Sequence, residues 1–191
     1  MEKEIHLESA GIKYWVEPHP LEQNNCFEEK IFQCKIKETC YMVPQKITLE
    51  INLYKNVNSY GLLGIDYKPI VGADTLEVKI AYVKQNHILY NSDLVKYDMY
   101  MYCGLPEEYV TNVFNKIQQY VQNNTFMGGE LIIPFAANSE VRSSPRFFEI
   151  LIEILMILLA KNISIDEKTN DSYDEIIKEI FLKSPFFKND K

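Results

Sequence analysis

From Lys46 to Tyr54 the chain reads KITLEINLY, with Ile47, Leu49, Ile51 and Leu53 alternating with polar partners. A period of two puts these four on one side of a pleated strand and predicts a sheet with one wet face. LEVKIAYV repeats the pattern through Leu76, Val78, Ile80 and Tyr82. The aromatic run IKYWV, from Ile12 to Val16, and YDMYMY, before Cys103, read as further strands. Asn58-Ser59 with Gly61, and Gly72-Ala73-Asp74, punctuate these runs as turns.

The period then lengthens. In GLPEEYVTNVFNKIQQYV, Tyr109, Val110, Val113, Phe114, Ile117, Tyr120 and Val121 share one face at helical spacing. Pro106 suits the first turn, where its missing N–H costs nothing. Glu107 and Glu108 complement the positive end of the helix dipole, and Asn123-Asn124 marks the stop. GGELIIPFAA follows as a buried-type strand that Pro134 bends or confines to an edge. SSPRFFEI opens a second helix, with Ser143 or Ser144 as cap and Pro145 as first helical residue. Its continuation to Ala160 is very apolar, yet it is shorter than the about 20 residues that span a bilayer. It also carries Glu149 and Glu153 one turn apart, so it reads as a core helix. A last amphipathic helix, from near Ser172 to Lys183, presents Ile176, Ile177, Ile180 and Phe181 and ends at Ser184-Pro185. The polar linker KNISIDEKTND before it predicts loose packing.

Strands, then helix, strand, helix and helix specify an α+β fold: a mostly antiparallel sheet with the helices packed on one face. The helix after Pro106 and the strand at Leu131 predict a right-handed β-α-β crossover. Residues 1–165 make one α+β domain, and 166–191 a helical appendage packed on it.

GLPEEYVTNVFNKI resembles the segment of the fourth domain of elongation factor G in which a Gly-x-Pro-x-Glu-Tyr turn opens a helix. EVRSSPRFFEI, with Val141, Ser143, Ser144 and Phe148, is similar to that domain's Val-Asp-Ser-Ser turn into an apolar helix. YWVEPHPLEQNNCFEEKI resembles its strand ending in Val-Glu-Pro, the hairpin and the Phe-Glu strand that follow, through Val16, Glu17, Pro18, Phe27 and Glu28. The resemblance implies a ribosomal protein S5 domain 2-like β-α-β-α core. It also implies a translation-factor-like role on a protein or ribosomal surface. The chain departs from the pattern in four places. The stretch 32–102 intervenes between elements that nearly touch in the family, Arg142 stands where the turn carries Asp, the glycine-rich tip loop shrinks to Gly11 alone, and the second tip loop lacks its histidine. No Gly-x-x-x-x-Gly-Lys-Ser/Thr loop occurs, which excludes a GTPase of that kind.

Charge narrows the partners. A net charge of −7 over 191 residues, with no Lys/Arg run, is a poor footprint for nucleic acid; contact through a ribosome would be weak. Cys26, Cys34, Cys40 and Cys103 contain no C-x-x-C pair, and His6, His19 and His87 no metal-spaced pair, so no metal or cofactor is expected. Too few cysteines for a disulfide scaffold, and an acidic Met-Glu-Lys-Glu start, suit a cytoplasmic protein with no membrane segment. A Cys103–His87 nucleophile pair and a Glu149–Glu153 acid pair carry enzyme readings; the blander readings are a buried thiol and the wet side of a helix. Arg142, Ser143, Ser144 and Arg146 surround a helix start and form a candidate anion site, beside the plain reading of a capped helix with two solvated arginines. Tyr97, Tyr100, Tyr102 and Tyr109 cluster near the Gly-Leu-Pro turn as candidate partner contacts, though tyrosine also simply suits strands.

The expected function is a non-enzymatic interaction module with a protein partner. The alternatives are an acidic immunity-type protein that neutralises a basic partner, favoured by an acidic patch, and an enzyme with an unrecognised site, favoured by a deep pocket with perturbed acids.

Overall fold

The two periods read from the chain become strands and helices in a computed structural model that describes residues 1–17, 27–54, 60–85, 88–95, 100–161 and 170–183. The strands are β1 (Glu2–His6), β2 (Ala10–Val16), β3 (Glu28–Lys35), β4 (Gln45–Leu53), β5 (Tyr60–Pro69), β6 (Thr75–Tyr82), β7 (Leu89–Tyr90) and β8 (Met101–Cys103). Helix α1 (Glu107–Asn123) follows, then β9 (Gly129–Ile133), β10 (Ala136–Asn138), α2 (Pro145–Ala160) and α3 (Asn170–Lys183). All described strands join one sheet, antiparallel except where β9 runs parallel to β6. The class is α+β.

The sheet forks along β5. One edge of β5 pairs throughout with β4, and β2 and β1 continue outward. On its other edge Leu62 and Leu63 pair with β10, which leads to β8 and β7. Asp66–Pro69 pair instead with β9, which leads to β6 and β3. The branch point is Pro134-Phe135, where the expected bend divides one chain path into β9 and β10. The Phe135 ring fills the space over Gly64, where a Cβ would come within 2.5 Å of it.

The helices share one core. Val110, Val113, Ile117 and Val121 of α1, the apolar face of α2, and Tyr173, Ile177 and Phe181 of α3 pack with Ile47, Leu49, Ile51, Leu63, Ile65, Leu76, Val78 and Ile80. Phe32 of β3 stacks on Phe114 of α1 with ring centroids 4.2 Å apart. Glu149 receives Asn112 at 2.8 Å and Glu153 meets Lys116 at 3.0 Å, so both carboxylates tie α2 to α1.

Several expectations need correction. The second face of the sheet is not wet: Thr48, Glu50 and Asn52 are buried there, and Trp15, Leu62, Phe135 and Ala137 form a smaller apolar cluster with Phe27 and Tyr90 against it. Gly61 is not in a turn but inside β5, where a Cβ would lie 2.7 Å from Leu151 Cδ1. Pro106 is the cap residue before α1 rather than inside its first turn. Helix α3 is not loose, since the Tyr14 ring of β2 lies tilted against Tyr173, centroids 5.9 Å apart, and Tyr14 donates to Asp174 at 2.6 Å. Among the described residues β2 pairs with β1 and β4, and β3 with β6, so β2 and β3 are not paired with each other; the expected hairpin between them falls on residues 18–26, outside the described residues. Ser144 does cap α2, accepting the Phe147 N–H. The expected turn at Asn58-Ser59, Pro18 and the Ser184-Pro185 stop lie outside the described residues.

Candidate functional site

The Gly-Leu-Pro turn is stitched to the end of β6. Val83 N–H donates to Leu105 O at 2.9 Å, and Glu107 N–H donates to Val83 O at 3.1 Å. Gly104 N–H donates to Ala136 O at 2.7 Å, and buried Asn138 donates to Gly104 O at 2.8 Å. Only glycine fits at 104: its φ is +117°, and a Cβ would sit 2.5 Å from Val83 Cγ1.

Two cavities flank this junction and share Val83, Lys84 and Gln85. One, of about 500 Å³, is bounded on its far side by Pro106, Glu108, Tyr109, Asn138 and Glu140. The other, of about 430 Å³, is bounded by Phe27, Glu28, Tyr82, Ile88 and Cys103. A charge ladder crosses their rim. Lys84 meets Glu28 at 2.8 Å, Tyr82 donates to Glu28 at 2.7 Å, and Lys30 lies 4.9 Å from the Tyr82 ring centroid and 2.8 Å from Glu107. The Lys84 and Tyr82 hydrogen bonds hold the Glu28 carboxyl below its usual range, and its acceptance in turn raises the Tyr82 phenol. Burial pushes the Cys103 thiol up, so it stays protonated and a poor nucleophile.

The second concentration of polar groups is closed. Glu50 is 1% exposed and accepts from Tyr60 at 2.8 Å and from Tyr90 at 3.3 Å. Burial raises its carboxyl, outweighing the opposing bonds from Ser92, Tyr60 and Tyr90 and the Lys13 charge. Asn52, two positions along β4, donates to Leu94 O at 2.8 Å, while its buried Oδ1 lacks a hydrogen-bond partner. Lys13 bridges Glu2 at 2.7 Å and Asp93 at 2.9 Å beside the Trp15 ring. Residues 88–95 thus form a strap held over the second face by polar contacts.

The residues expected to hold an anion point to different internal partners. Ser143 donates to Tyr60 O at 2.7 Å and accepts Ser139 N–H at 2.8 Å, and Arg142 donates to Leu53 O at 2.7 Å. Ser144 is committed to its cap, and Arg146 pairs with Glu149 at 2.6 Å. Of the tyrosines, Tyr100 is exposed before β8, Tyr102 is half-buried in β8, and Tyr109 donates to Ser143 O at 3.3 Å against Phe148. Tyr97 lies outside the described residues, as do Cys26, His19 and His87, so the Cys103–His87 pairing does too. Cys34 donates weakly to Leu76 O and is pushed up to about 11 by burial. Among the described residues no group of three or more His, Cys, Asp or Glu is placed to hold a metal ion, and no helix is long and apolar enough to cross a membrane.

Sequence reasoning missed Glu50 and the cavity residues Val83–Gln85. Nothing local marked the first, which occupies a polar position of an alternating strand; nothing local marked the second either, because contact with the Gly104 turn creates it. Compared with known proteins, the chain matches no family model, no curated protein and no solved structure.

Proposed function

We propose that the chain is a cytoplasmic, non-enzymatic module that binds a protein partner, in the manner of a translation-factor-like domain. The observation that carries this reading is the tip of the turn from β5 to β6, two strands that β9 separates in the sheet. Ile70 is 55% exposed and Val71 85% exposed, and Gly72, at φ +82°, has nothing within 4 Å of where its Cβ would stand. The tip is held firmly: Ile70 N–H donates to Gly128 O at 2.9 Å and Ala73 N–H to Ile70 O at 3.1 Å. Exposed Tyr41 lies on the neighbouring segment that Ile36 and Glu38 bond to Asp74 and Phe126 at the same end of the sheet. Adjacent apolar side chains on a rigid tip are what a partner's pocket can desolvate without an ordering cost. The free thiols of Cys34, Cys40 and Cys103 suit a reducing compartment.

The test is affinity capture from native lysate with wild type and with Ile70→Asp/Val71→Asp. A partner held by wild type and lost by the variant, at unchanged thermal stability, is the expected result. A partner retained equally by both sinks the tip as the contact.

A further inference from the structure

We propose that the twin cavities beside the Gly104 turn receive two side chains of an extended partner segment, one apolar and one basic, spaced two residues apart; this rests on reading the chain as a protein-binding module. Residues i and i+2 of an extended chain point the same way, roughly 7 Å apart, which lets them straddle the single backbone ridge of Val83–Gln85 that both cavities share.

The two chambers differ in chemistry. The chamber of Phe27, Tyr82, Ile88 and Cys103 offers apolar walls, and Glu28 takes up the charge of Lys84 at its rim. The other offers Glu108 and Glu140, which make no ion pair among the described residues, beside the Tyr109 side chain. With Lys84 spent on Glu28, the surplus charge of this chamber is negative. An anionic guest would need free N–H groups at the α1 start. Glu107 N–H and Tyr109 N–H are already given to Val83 O and Pro106 O. Both volumes fall within the range of small-ligand pockets.

The probes are acetyl-Leu-Ser-Arg-amide, its reversed order acetyl-Arg-Ser-Leu-amide, and the charge-reversed acetyl-Leu-Ser-Glu-amide, titrated at low salt and followed by NMR shifts of Val83 and Gln85. One of the two Arg peptides should bind at least tenfold tighter than the Glu peptide. Glu108→Gln/Glu140→Gln should cost that peptide fivefold or more, a loss of the size expected from two exposed charge pairs, without lowering the thermal midpoint. Ile70→Asp/Val71→Asp should bind it as wild type does. No Arg-peptide binding at millimolar concentration, equal affinity for the Glu peptide, or affinity unchanged in the Gln double variant would each overturn the groove assignment. Those failures leave the turn-tip reading standing, because that reading is judged by partner capture alone.

Discussion

At the scale of single residues, Glu50 departs furthest from its sequence setting. Its place in β4 predicts a solvated carboxylate, yet the fold leaves it buried beneath Tyr90 and Ser92. A carboxyl raised by burial binds its proton more tightly in the folded chain than in the unfolded one. Its contribution to stability is therefore full below the ordinary Glu value of about 4.3 and is lost as pH rises through the folded value. Glu2, Glu28 and Glu130 are lowered, chiefly by hydrogen bonds to Lys13, Lys84 and Lys79, and so work in the opposite sense: their stabilisation is present above the ordinary value and lost as pH falls. Glu50→Gln should abolish the decline on the alkaline side while keeping the loss on the acid side. Thermal midpoints of both proteins from acid to neutral pH test this; parallel curves would mean that Glu50 ionises as easily folded as unfolded. Residues whose role is local were legible in the chain: the Ser144 cap and the Asn123-Asn124 stop stand where propensity puts them. Glu50 was not, because Tyr90 of the strap that buries it lies 40 positions further along the chain.

At the scale of elements, period decides what can be read. β6 and α1 each bury one face of a regular repeat, β4 alternates apolar and polar residues in sequence although both its faces are buried, and α2 shows its cap and a long apolar run, so each was legible. β5 was hidden because it is buried on both faces, so it reads as an apolar run without alternation, and its glycines mimic turns. Those glycines admit Leu151 on one face and Phe135 on the other, contacts invisible until the strand is placed. Helix α3 shows the reverse. Its existence was legible and its packing was not, since a polar linker says nothing about where the helix docks. Ile177 is fully buried in the main core, so Ile177→Ala should cost about 2–4 kcal/mol. Urea unfolding measures this, and a loss below about 0.5 kcal/mol, the level of a surface change, would return α3 to the role of a loose appendage.

At the scale of the whole molecule, strands come first and α1, β9, β10, α2 and α3 follow, and the stretch between Phe32 and Tyr102 supplies the middle of the sheet. β5 and β6 lie in that stretch, and β9 is aligned by both. Class was legible from the order of periods; the fork along β5 was not, because it depends on Phe135 meeting Gly64 across sequence. Charge sets what such a molecule gains on a ribosome. A protein making six to ten phosphate contacts loses about 10³–10⁵ in affinity between 50 and 200 mM salt. This chain has a net charge of −7, and its two arginines, Arg142 and Arg146, are bonded to Leu53 O and Glu149. We predict at most weak co-sedimentation with ribosomes at low salt, abolished by moderate salt. Arg146→Ala should reduce it further without loss of fold, whereas Arg142→Ala also removes the Leu53 contact and needs a stability control. Co-pelleting that survives high salt would mean a protein-to-protein contact on the ribosome carries the binding, and the exposed Ile70–Val71 tip would be the first surface to test there.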